Sequence, residues 1–330
     1  MENYVFKEYE SFVSNACLIS SFSNLFYNCK LDISESDIFF LGDGMKMDYE
    51  WNDHAKSMKD IVVFHDSNIL IQNFFERINE TISIEAIPDG EDVQSFKAFI
   101  KQKIDDGIPV IIAINTEFIT YYQTRPKKFR PHFLTVLGYQ KDKVYVSDCL
   151  VPTVKNYETY VGFFGIDDLY KASKSRGFTY YDFNYQQSGN KIKAMDHALI
   201  HSKFEENIEI YLTESQSKLQ DFVCRIKNMK NLFPPEEHVK SSEDLFFNIK
   251  YNGILHSRVL VYEHMRKYHN QNEELLSELK QIQIKWEGVN YALLKNNLTN
   301  APQTKYDGLY ESMLNLLDFE YQTYKSVLDD

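Results

Sequence analysis

Hydrophobic and polar positions change their spacing once along the chain. Through the first 200 residues, segments with helical spacing alternate with short apolar or alternating runs that are typical of strands. From about residue 205 nearly every segment repeats its apolar positions at helical spacing, with breaks at FPPEEH (233–238) and near NNLTNAPQTKYDG (296–308). The pattern predicts an α+β domain over 1–204 and a helical bundle or cap domain over 205–330.

The second domain is expected to consist of four helices, over 205–231, 241–270, 272–296 and 308–328. Three histidines in these segments, His256, His264 and His269, fit no metal-ligand spacing and are expected to face solvent. His197 and His201 stand four residues apart with Glu205 one turn further on. A single helix presents that third residue too far along its axis for one ion, so no metal site is predicted.

The stretch YESFVSNACLISSFSNLF (9–26) contains the most informative helix of the first domain. Its core-facing stripe consists of Leu18, Ile19, Phe22, Leu25 and Phe26. Ser14 or Asn15 is the expected N-cap, which places Cys17 in the first turn. Unpaired N–H groups and the helix dipole favour a thiolate there, so Cys17 is a candidate nucleophile. The alternative is a buried structural thiol, which is common for free cysteine.

Two further segments of the first domain are rich in β-forming residues. DDGIPVIIAINTEFI (105–119) has a Gly-Ile-Pro turn followed by a continuous apolar run, which predicts a buried central strand. HFLTVLGY and KVYVSD, within 132–148, are separated by a short polar turn and predict a hairpin.

This hairpin carries the candidate partners of Cys17. A thiol nucleophile needs a base such as His132 and a group such as Asp148 that orients the imidazole. Side chains alternate along a strand, so both residues share a face only with an odd loop. A three-residue loop over 140–142, with Asp142 left-handed, sets them on a diagonal of about 7–8 Å. The alternative is two polar residues at strand ends with no catalytic role.

Composition narrows the function classes. The net charge of −12 disfavours a nucleic-acid binder, which needs a basic surface. The longest apolar run, PVIIAI (109–114), is too short to cross a bilayer, and the N-terminus lacks the pattern of a secretory signal. The four cysteines, Cys17, Cys29, Cys149 and Cys224, share no zinc-type spacing. We therefore expect a cytoplasmic protein with reduced thiols and no membrane association.

Three blocks of sequence resemble a known family. They are NACLISSFSNLFYNCKLDISESDIFFLGDGMKMDY (15–49), DDGIPVIIAI (105–114) and HFLTVLGYQKDKVYVSD (132–148). The first 150 residues resemble the papain-like fold in its peptidase C39-like branch, and more closely the N-terminal domain family of butirosin biosynthesis protein H. The resemblance implies a papain-like fold with an antiparallel sheet and an appended helical region. It also implies a triad of Cys17, His132 and Asp148.

The sequence departs from the family pattern at two places. Family glycines appear here as FLGDGM with Asp43 interrupting, and the resemblance assigns Asp43 and Gly44 to the substrate side. Papain-like proteases place a glutamine about six residues before the nucleophile, where this chain has Ser11. The second oxyanion donor, beside the Cys17 backbone N–H, is then expected to be Asn15 or Ser11.

A basic run, RPKKFR (125–130), precedes His132 on an otherwise acidic protein. Acyl carrier proteins are acidic and their prosthetic arm carries a phosphate, so such a run suits donor docking. The residues concerned are Arg125, Lys127, Lys128 and Arg130. The alternative is a solvated loop without a partner.

The resemblance implies amide formation by a cysteine acyltransferase of natural-product biosynthesis. Cys17 would take an acyl or aminoacyl group from a carrier-protein thioester and pass it to a small-molecule amine. No cofactor is expected besides the phosphopantetheine arm of the carrier, and a homodimer is possible. Two alternatives stay open at this point: a cysteine peptidase or amidase, and a catalytically inactive papain-like scaffold used for binding.

Overall fold

The computed structural model describes residues 2–51, 61–64, 66–122, 130–153, 157–251 and 253–329, with backbone alone at 48–51 and 61–64. In this part of the chain the strands are β1 (Glu2–Tyr4), β2 (Asp48–Trp51), β3 (Ile61–Phe64), β4 (Ser83–Ala86), β5 (Val110–Asn115), β6 (Pro131–Gln140), β7 (Lys143–Pro152), β8 (Tyr157–Gly165) and β9 (Thr179–Asp182).

The helices of the first 200 residues are α1 (Cys17–Asn28), α2 (Glu35–Leu41), α3 (Ser67–Arg77), α4 (Val93–Asp105), α5 (Ile166–Lys174), α6 (Tyr185–Lys193) and the start of α7 (His197–Ile210). A π-helical turn (Tyr211–Ser215) joins α7 to α8 (Gln216–Leu232), and α9 (Pro235–Tyr251), α10 (Ile254–Tyr268), α11 (Glu273–Leu298) and α12 (Gln303–Asp329) follow. None of the helices in the described ranges combines the length and the apolar character that a bilayer span needs.

The chain divides into two compact units. The first comprises Met1–Ile38 and Phe75–Met195, and the second comprises Phe39–Phe74 and Asp196–Asp330. The sequence pattern predicts a single domain boundary after residue 204. In the structure, residues 39–74 instead belong to the same compact unit as the C-terminal helices. Compactness does not show that a segment folds alone, so the domain boundaries stay a prediction.

The first unit is built on a seven-stranded antiparallel sheet with the order β4-β9-β5-β6-β7-β8, and β1 pairs with β6. The predicted central strand is confirmed, since β5 lies between β9 and β6 and its apolar run is buried. Helix α4 packs Phe96, Ile100 and Ile104 into one core with the apolar residues of β5 and β6. The α+β class with an antiparallel sheet and a mostly helical C-terminal region is therefore confirmed.

Helix α1 begins at Cys17, and every residue of its predicted apolar stripe is buried. Phe22 lies in an aromatic cluster, with its ring centroid 5.6 Å from that of Tyr181 and 5.2 Å from that of Phe183. The N-cap is Ala16, which has no side chain that could accept a hydrogen bond. The expected N-cap, Ser14 or Asn15, is wrong, because the extended residue directly before the helix is Ala16.

The hairpin of β6 and β7 is confirmed, but the three-residue loop is wrong. Gln140 pairs with Lys143, which leaves a two-residue loop, and Lys141 rather than Asp142 is left-handed (φ 56°). A β-bulge between Val136 and Gly138 then shifts the register by one residue. Beyond the bulge Thr135 pairs with Ser147, so continuing the register sets Asp148 opposite the residue two positions after His132.

Strand β1 contacts β6 directly at the bulge. Val5 donates its N–H to the carbonyl oxygen of Leu137 at 2.8 Å, and Tyr4 pairs with Gly138. A Cβ at Gly138 would lie 2.5 Å from the Tyr4 ring, so only glycine allows this approach. The bulge is therefore in contact with residues more than 130 positions earlier in the sequence.

The second unit contains a buried ion pair and two buried histidines. Arg258 binds Glu320 through Nε at 2.6 Å and a terminal nitrogen at 2.9 Å, and Tyr211 donates its hydroxyl to Glu320 at 2.6 Å. His264 stacks on a phenylalanine ring at 4.0 Å, and burial lowers its pKa to about 3. The expectation that His256 and His264 face solvent is wrong, because both pack among aromatic rings. The prediction of one helix over 241–270 is wrong as well, because this range contains the end of α9 and the whole of α10.

Candidate active site

Cys17 is the first helical residue of α1 and is partly exposed. Its carbonyl oxygen accepts hydrogen bonds from the Ser21 hydroxyl at 2.7 Å and from the Cys149 thiol at 3.7 Å. Cys149 lies on β7, so the first turn of α1 lies beside that strand. The backbone N–H of Cys17 belongs to the first turn, where amides have no intrahelical acceptor.

His132 and Asp148 are joined across the β6–β7 hairpin. His132 Nε2 lies 2.8 Å from Asp148 Oδ1, and both side chains are buried. The expected bond between these two residues is therefore present, although the bulge and not the loop sets their register. With Nε2 occupied by the carboxylate, Nδ1 is the ring nitrogen left for Cys17. The side chain of Cys17 acts on His132 both as a charge and as a hydrogen-bonding partner.

Asp148 accepts hydrogen bonds from three further groups besides His132. Its Oδ2 accepts from the Tyr121 hydroxyl at 2.9 Å and from the Tyr122 hydroxyl at 3.4 Å. The backbone N–H of Leu150 donates to Oδ1 at 3.1 Å. The Tyr121 ring also stacks on the Tyr160 ring, with centroids 3.9 Å apart. A carboxylate with this set of donors is oriented and kept ionised without exposure to water.

Burial and charge act in opposite directions at this pair. Burial disfavours the charged imidazolium, but the negative charges of Asp148 and Cys17 outweigh it and raise the pKa of His132 to about 10. Burial also opposes ionisation of Asp148, but the positive charge of His132 prevails and lowers the pKa of the carboxyl group. At neutral pH the geometry therefore favours an imidazolium between a carboxylate and the Cys17 sulfur.

The predicted oxyanion and substrate residues fall in both units. The Ser11 hydroxyl accepts a hydrogen bond from the Ser147 hydroxyl at 3.1 Å, and the Asn15 N–H donates to Glu35 at 3.4 Å. Asp43 and Gly44 belong to the second unit, where Asp43 is left-handed (φ 60°) and Gly44 packs its backbone against the Phe39 ring. Their roles toward an oxyanion or a substrate stay predictions.

Of the basic run before His132, Arg125, Lys127 and Lys128 lie outside the described residues. Arg130 is described, and its backbone N–H donates to the Thr116 hydroxyl at 3.3 Å. Docking of a donor at these four residues stays a prediction.

His201 lies 3.4 Å from Glu205 and stacks on His269 with ring centroids 4.9 Å apart. Within the residues that the structure describes, no three histidine, cysteine, aspartate or glutamate side chains converge as a metal-ligand set.

Sequence reasoning missed Glu35 and the two tyrosines that hold Asp148. SESD (34–37) forms a capping box at the start of α2, since Ser34 and Asp37 exchange hydrogen bonds of 2.8 and 3.3 Å. Glu35 lies inside that motif, where an acidic residue is ordinary, so nothing in the sequence marks its second contact. Burial raises the pKa of Glu35 to about 7, although N–H donation from Asn15 partly opposes this.

Comparison with known proteins shows which families and solved structures this chain is similar to. A Bacillus anthracis structure described as a C39-like peptidase is similar at 12% identity and a TM-score of 0.35, over 56% of this chain and 98% of its own. Likeness of that size carries no conclusion about activity. No curated protein matches the chain. The family model of butirosin biosynthesis protein H, N-terminal, matches residues 16–149, a range that contains Cys17, His132 and Asp148. Residues 16–149 are therefore similar to the butirosin biosynthesis protein H N-terminal family, and a cysteine at a helix start with a buried histidine–aspartate pair fits a papain-like cysteine enzyme.

Proposed function

We propose that this protein is a cysteine-dependent acyltransferase that forms an amide. In the proposed reaction Cys17 accepts an acyl or aminoacyl group from a carrier-protein thioester and transfers it to a small-molecule amine. The observation that carries the proposal is the 2.8 Å contact between His132 and Asp148, with Cys17 acting on the same imidazole. The family name, which refers to butirosin biosynthesis, supports a role in natural-product assembly.

The first half-reaction loads the enzyme. The Cys17 thiolate attacks the carbonyl carbon of the donor thioester, and the backbone N–H of Cys17 donates to the developing oxyanion. The tetrahedral intermediate collapses, the carrier sulfur leaves, and protonated His132 gives it a proton from Nδ1. The products are acyl-Cys17, a neutral His132 and a free carrier thiol. One thioester replaces another, so the step costs little free energy.

The second half-reaction forms the amide. The acceptor amine attacks the acyl-Cys17 carbonyl carbon, and neutral His132 takes the proton that the amine nitrogen loses. The Cys17 thiolate leaves, which restores the thiolate and the imidazolium. Asp148 keeps the imidazole oriented throughout and stabilises its positive charge. Partial burial of the site slows attack by water, which would release a free acid.

Intact-mass analysis tests the first half-reaction. The wild-type protein, incubated with carrier proteins loaded with different acyl groups, should gain the mass of one acyl group. Cys17→Ala should gain none and keep its fold, because one small residue replaces another. The matched control is Cys224→Ala, since Cys224 is an exposed thiol in the second unit. Equal loading of the wild type and Cys17→Ala would refute the proposal.

Product analysis separates the two alternatives. Adding an amine to the loaded enzyme should yield an amide, whereas a free acid with no amide would indicate a peptidase or amidase. A protein that never acquires an acyl group from any thioester would indicate a scaffold used for binding.

The donor is tested by comparing two substrates. Neutralising Arg125, Lys127, Lys128 and Arg130 together should raise the KM for an acidic carrier protein and reduce its dependence on salt. Reaction with a short uncharged thioester should stay nearly unchanged, because only steering is lost. Equal losses with both substrates would mean that the run supports His132, and no loss with either would mean a solvated loop.

A further inference from the structure

The backbone immediately before Cys17 is bound by a side chain from another helix. Glu35, the first residue of α2, accepts the N–H of Ala16 on Oε1 at 3.1 Å and the N–H of Asn15 on Oε2 at 3.4 Å. The carboxylate therefore engages two consecutive amides with its two oxygens. Glu35 is only 8% exposed and Ala16 only 4%, so water does not compete strongly for these contacts.

This carboxylate binds the N–H of the N-cap residue Ala16, as the second carboxylate of a capping box does, but it comes from another helix. An N-cap side chain normally accepts an N–H of the first turn, but Ala16 has no acceptor to offer. Glu35 lies 19 residues further along the chain and binds the two amides before the helix starts. Above about pH 7, where Glu35 is ionised, its negative charge also interacts favourably with the positive end of the helix dipole. The start of α1 is thus defined by a tertiary contact.

The contact has a direct geometric consequence for the nucleophile. Binding the N–H groups of Asn15 and Ala16 holds the two peptide planes that lead into Cys17. Those planes directly precede the peptide that carries the Cys17 N–H, so holding them restricts the direction of that N–H and of the Cys17 Cα–Cβ bond, and hence where the sulfur lies relative to His132. Removing the carboxylate would leave two poorly hydrated N–H groups without an acceptor, and the segment would move to find one.

We propose that Glu35 is a positioning residue of the cysteine site, which orients Cys17 toward His132 and aims the Cys17 N–H at the oxyanion. The inference rests on the proposed function only for its kinetic consequence, since the orientation of Cys17 can be measured without a substrate. Glu35 does not take part in the proton transfers and does not contact the reacting atoms in this assignment.

Alkylation of Cys17 by iodoacetamide at pH 7.5, where Glu35 is mostly ionised, followed by peptide mass mapping, tests the proposal. The thiolate is the reactive form, and a Cys17 side chain that no longer pairs with the His132 imidazolium loses the charge that favours its thiolate, so its reaction at pH 7.5 is slow. Glu35→Ala should lower the rate of Cys17 alkylation roughly tenfold or more, and the rate should then rise steeply with pH. Glu35→Gln keeps one acceptor oxygen and the shape of the side chain, so its rate should lie between those of Glu35→Ala and the wild type.

The matched control is Asp92→Ala. Asp92 caps α4 by accepting the N–H of Ser95 at 2.7 Å, so its loss also removes a carboxylate from a helix start in the same unit. Asp92→Ala should leave Cys17 alkylation unchanged, whereas a general loss of stability would slow or speed both variants alike. Urea unfolding of each variant shows that the folded protein is being measured, and Glu35→Gln serves if Glu35→Ala does not fold.

With an acyl donor, Glu35→Gln should lower kcat for loading and leave KM nearly unchanged. Wild-type alkylation in both folded Glu35 variants would overturn the inference. So would a fall in kcat with unchanged alkylation, because Glu35 would then act on the substrate directly. A wild-type protein that never forms acyl-Cys17, but whose alkylation still depends on Glu35, would refute the acyl transfer and support the positioning role.

Discussion

Replacing Asp148 by asparagine separates the charge of this residue from its geometry. Oδ1 accepts from both His132 Nε2 at 2.8 Å and Leu150 N–H at 3.1 Å. Two donors at one oxygen should keep the carbonyl group of the asparagine in that place. The amide NH₂ would then face the hydroxyls of Tyr121 and Tyr122, which can accept as well as donate. We therefore expect Asp148→Asn to keep the orientation of the imidazole and to lose only the negative charge.

The magnitude follows from the distance between the charges. With Oδ1 at 2.8 Å from Nε2, the centres of charge are about 4 Å apart, and their interaction is worth about 4 kcal/mol at the effective dielectric constant of a protein. That energy corresponds to about a thousandfold loss of proton affinity at His132. Burial, which already lowers the pKa of His132, would then be opposed by Cys17 alone. Loss of the imidazolium should slow acyl loading by roughly two to three orders of magnitude.

The assay is a single-turnover measurement of acyl-Cys17 formation, together with an NMR titration of histidine rings labelled with ¹³C. In the wild type His132 should stay protonated up to about pH 10, and in Asp148→Asn it should lose its proton near neutral pH. Asp148→Ala is the comparison, because it loses both charge and hydrogen bond and should be slower still. Wild-type loading by Asp148→Asn would refute the argument from charge, and equal rates for Asn and Ala would refute the argument from retained geometry.

Three further predictions concern single groups. Tyr121→Phe removes the 2.9 Å hydrogen bond to Asp148 and should slow acyl loading several-fold, at a cost of about 1 kcal/mol in urea unfolding. Arg258→Met leaves the Glu320 carboxylate buried without its cation and should destabilise the protein by about 3–5 kcal/mol, a loss that adding Glu320→Gln should largely reverse in the same assay. His264 has its pKa lowered to about 3 by burial, so the unfolded chain binds a proton that the folded chain refuses and stability falls as the pH drops below about 6.5. Between pH 7 and pH 5 the free energy of unfolding of His264→Phe should therefore fall by up to about 2 kcal/mol less than that of the wild type. An unchanged pH dependence in urea unfolding would contradict the burial of that ring.

Local sequence patterns predicted the structure correctly where one face of a helix or strand packs into a hydrophobic core. The stripe of α1 and the apolar run of β5 are buried as their spacing predicts, because the side chains of a helix or a strand repeat with a constant period. The hairpin of β6 and β7 was also predictable, since its turn is polar and both of its arms favour strands.

Predictions from local sequence patterns were wrong where contacts with other parts of the chain determine the burial of a residue or the end of a helix. The predicted helix over 241–270 proved to be two helices, and His256 and His264 are buried although histidine is usually at least partly exposed. The neutral imidazole is accommodated because aromatic rings pack against it, and the sequence does not show which rings will arrive there.

Residue types and their order along the chain made Cys17, His132 and Asp148 candidates, and the family resemblance then pointed to the three together. Their meeting depends on long-range contacts that no local pattern encodes. The bulge that sets Asp148 beside His132 lies where β1, from the start of the chain, pairs with β6, and the start of α1 is bound by Glu35 from α2. The spacing of apolar residues determines which face of each helix or strand is buried. The strand register and the backbone hydrogen bonds at the site depend on which other segments pack against that face, and this is decided only when the whole chain has folded.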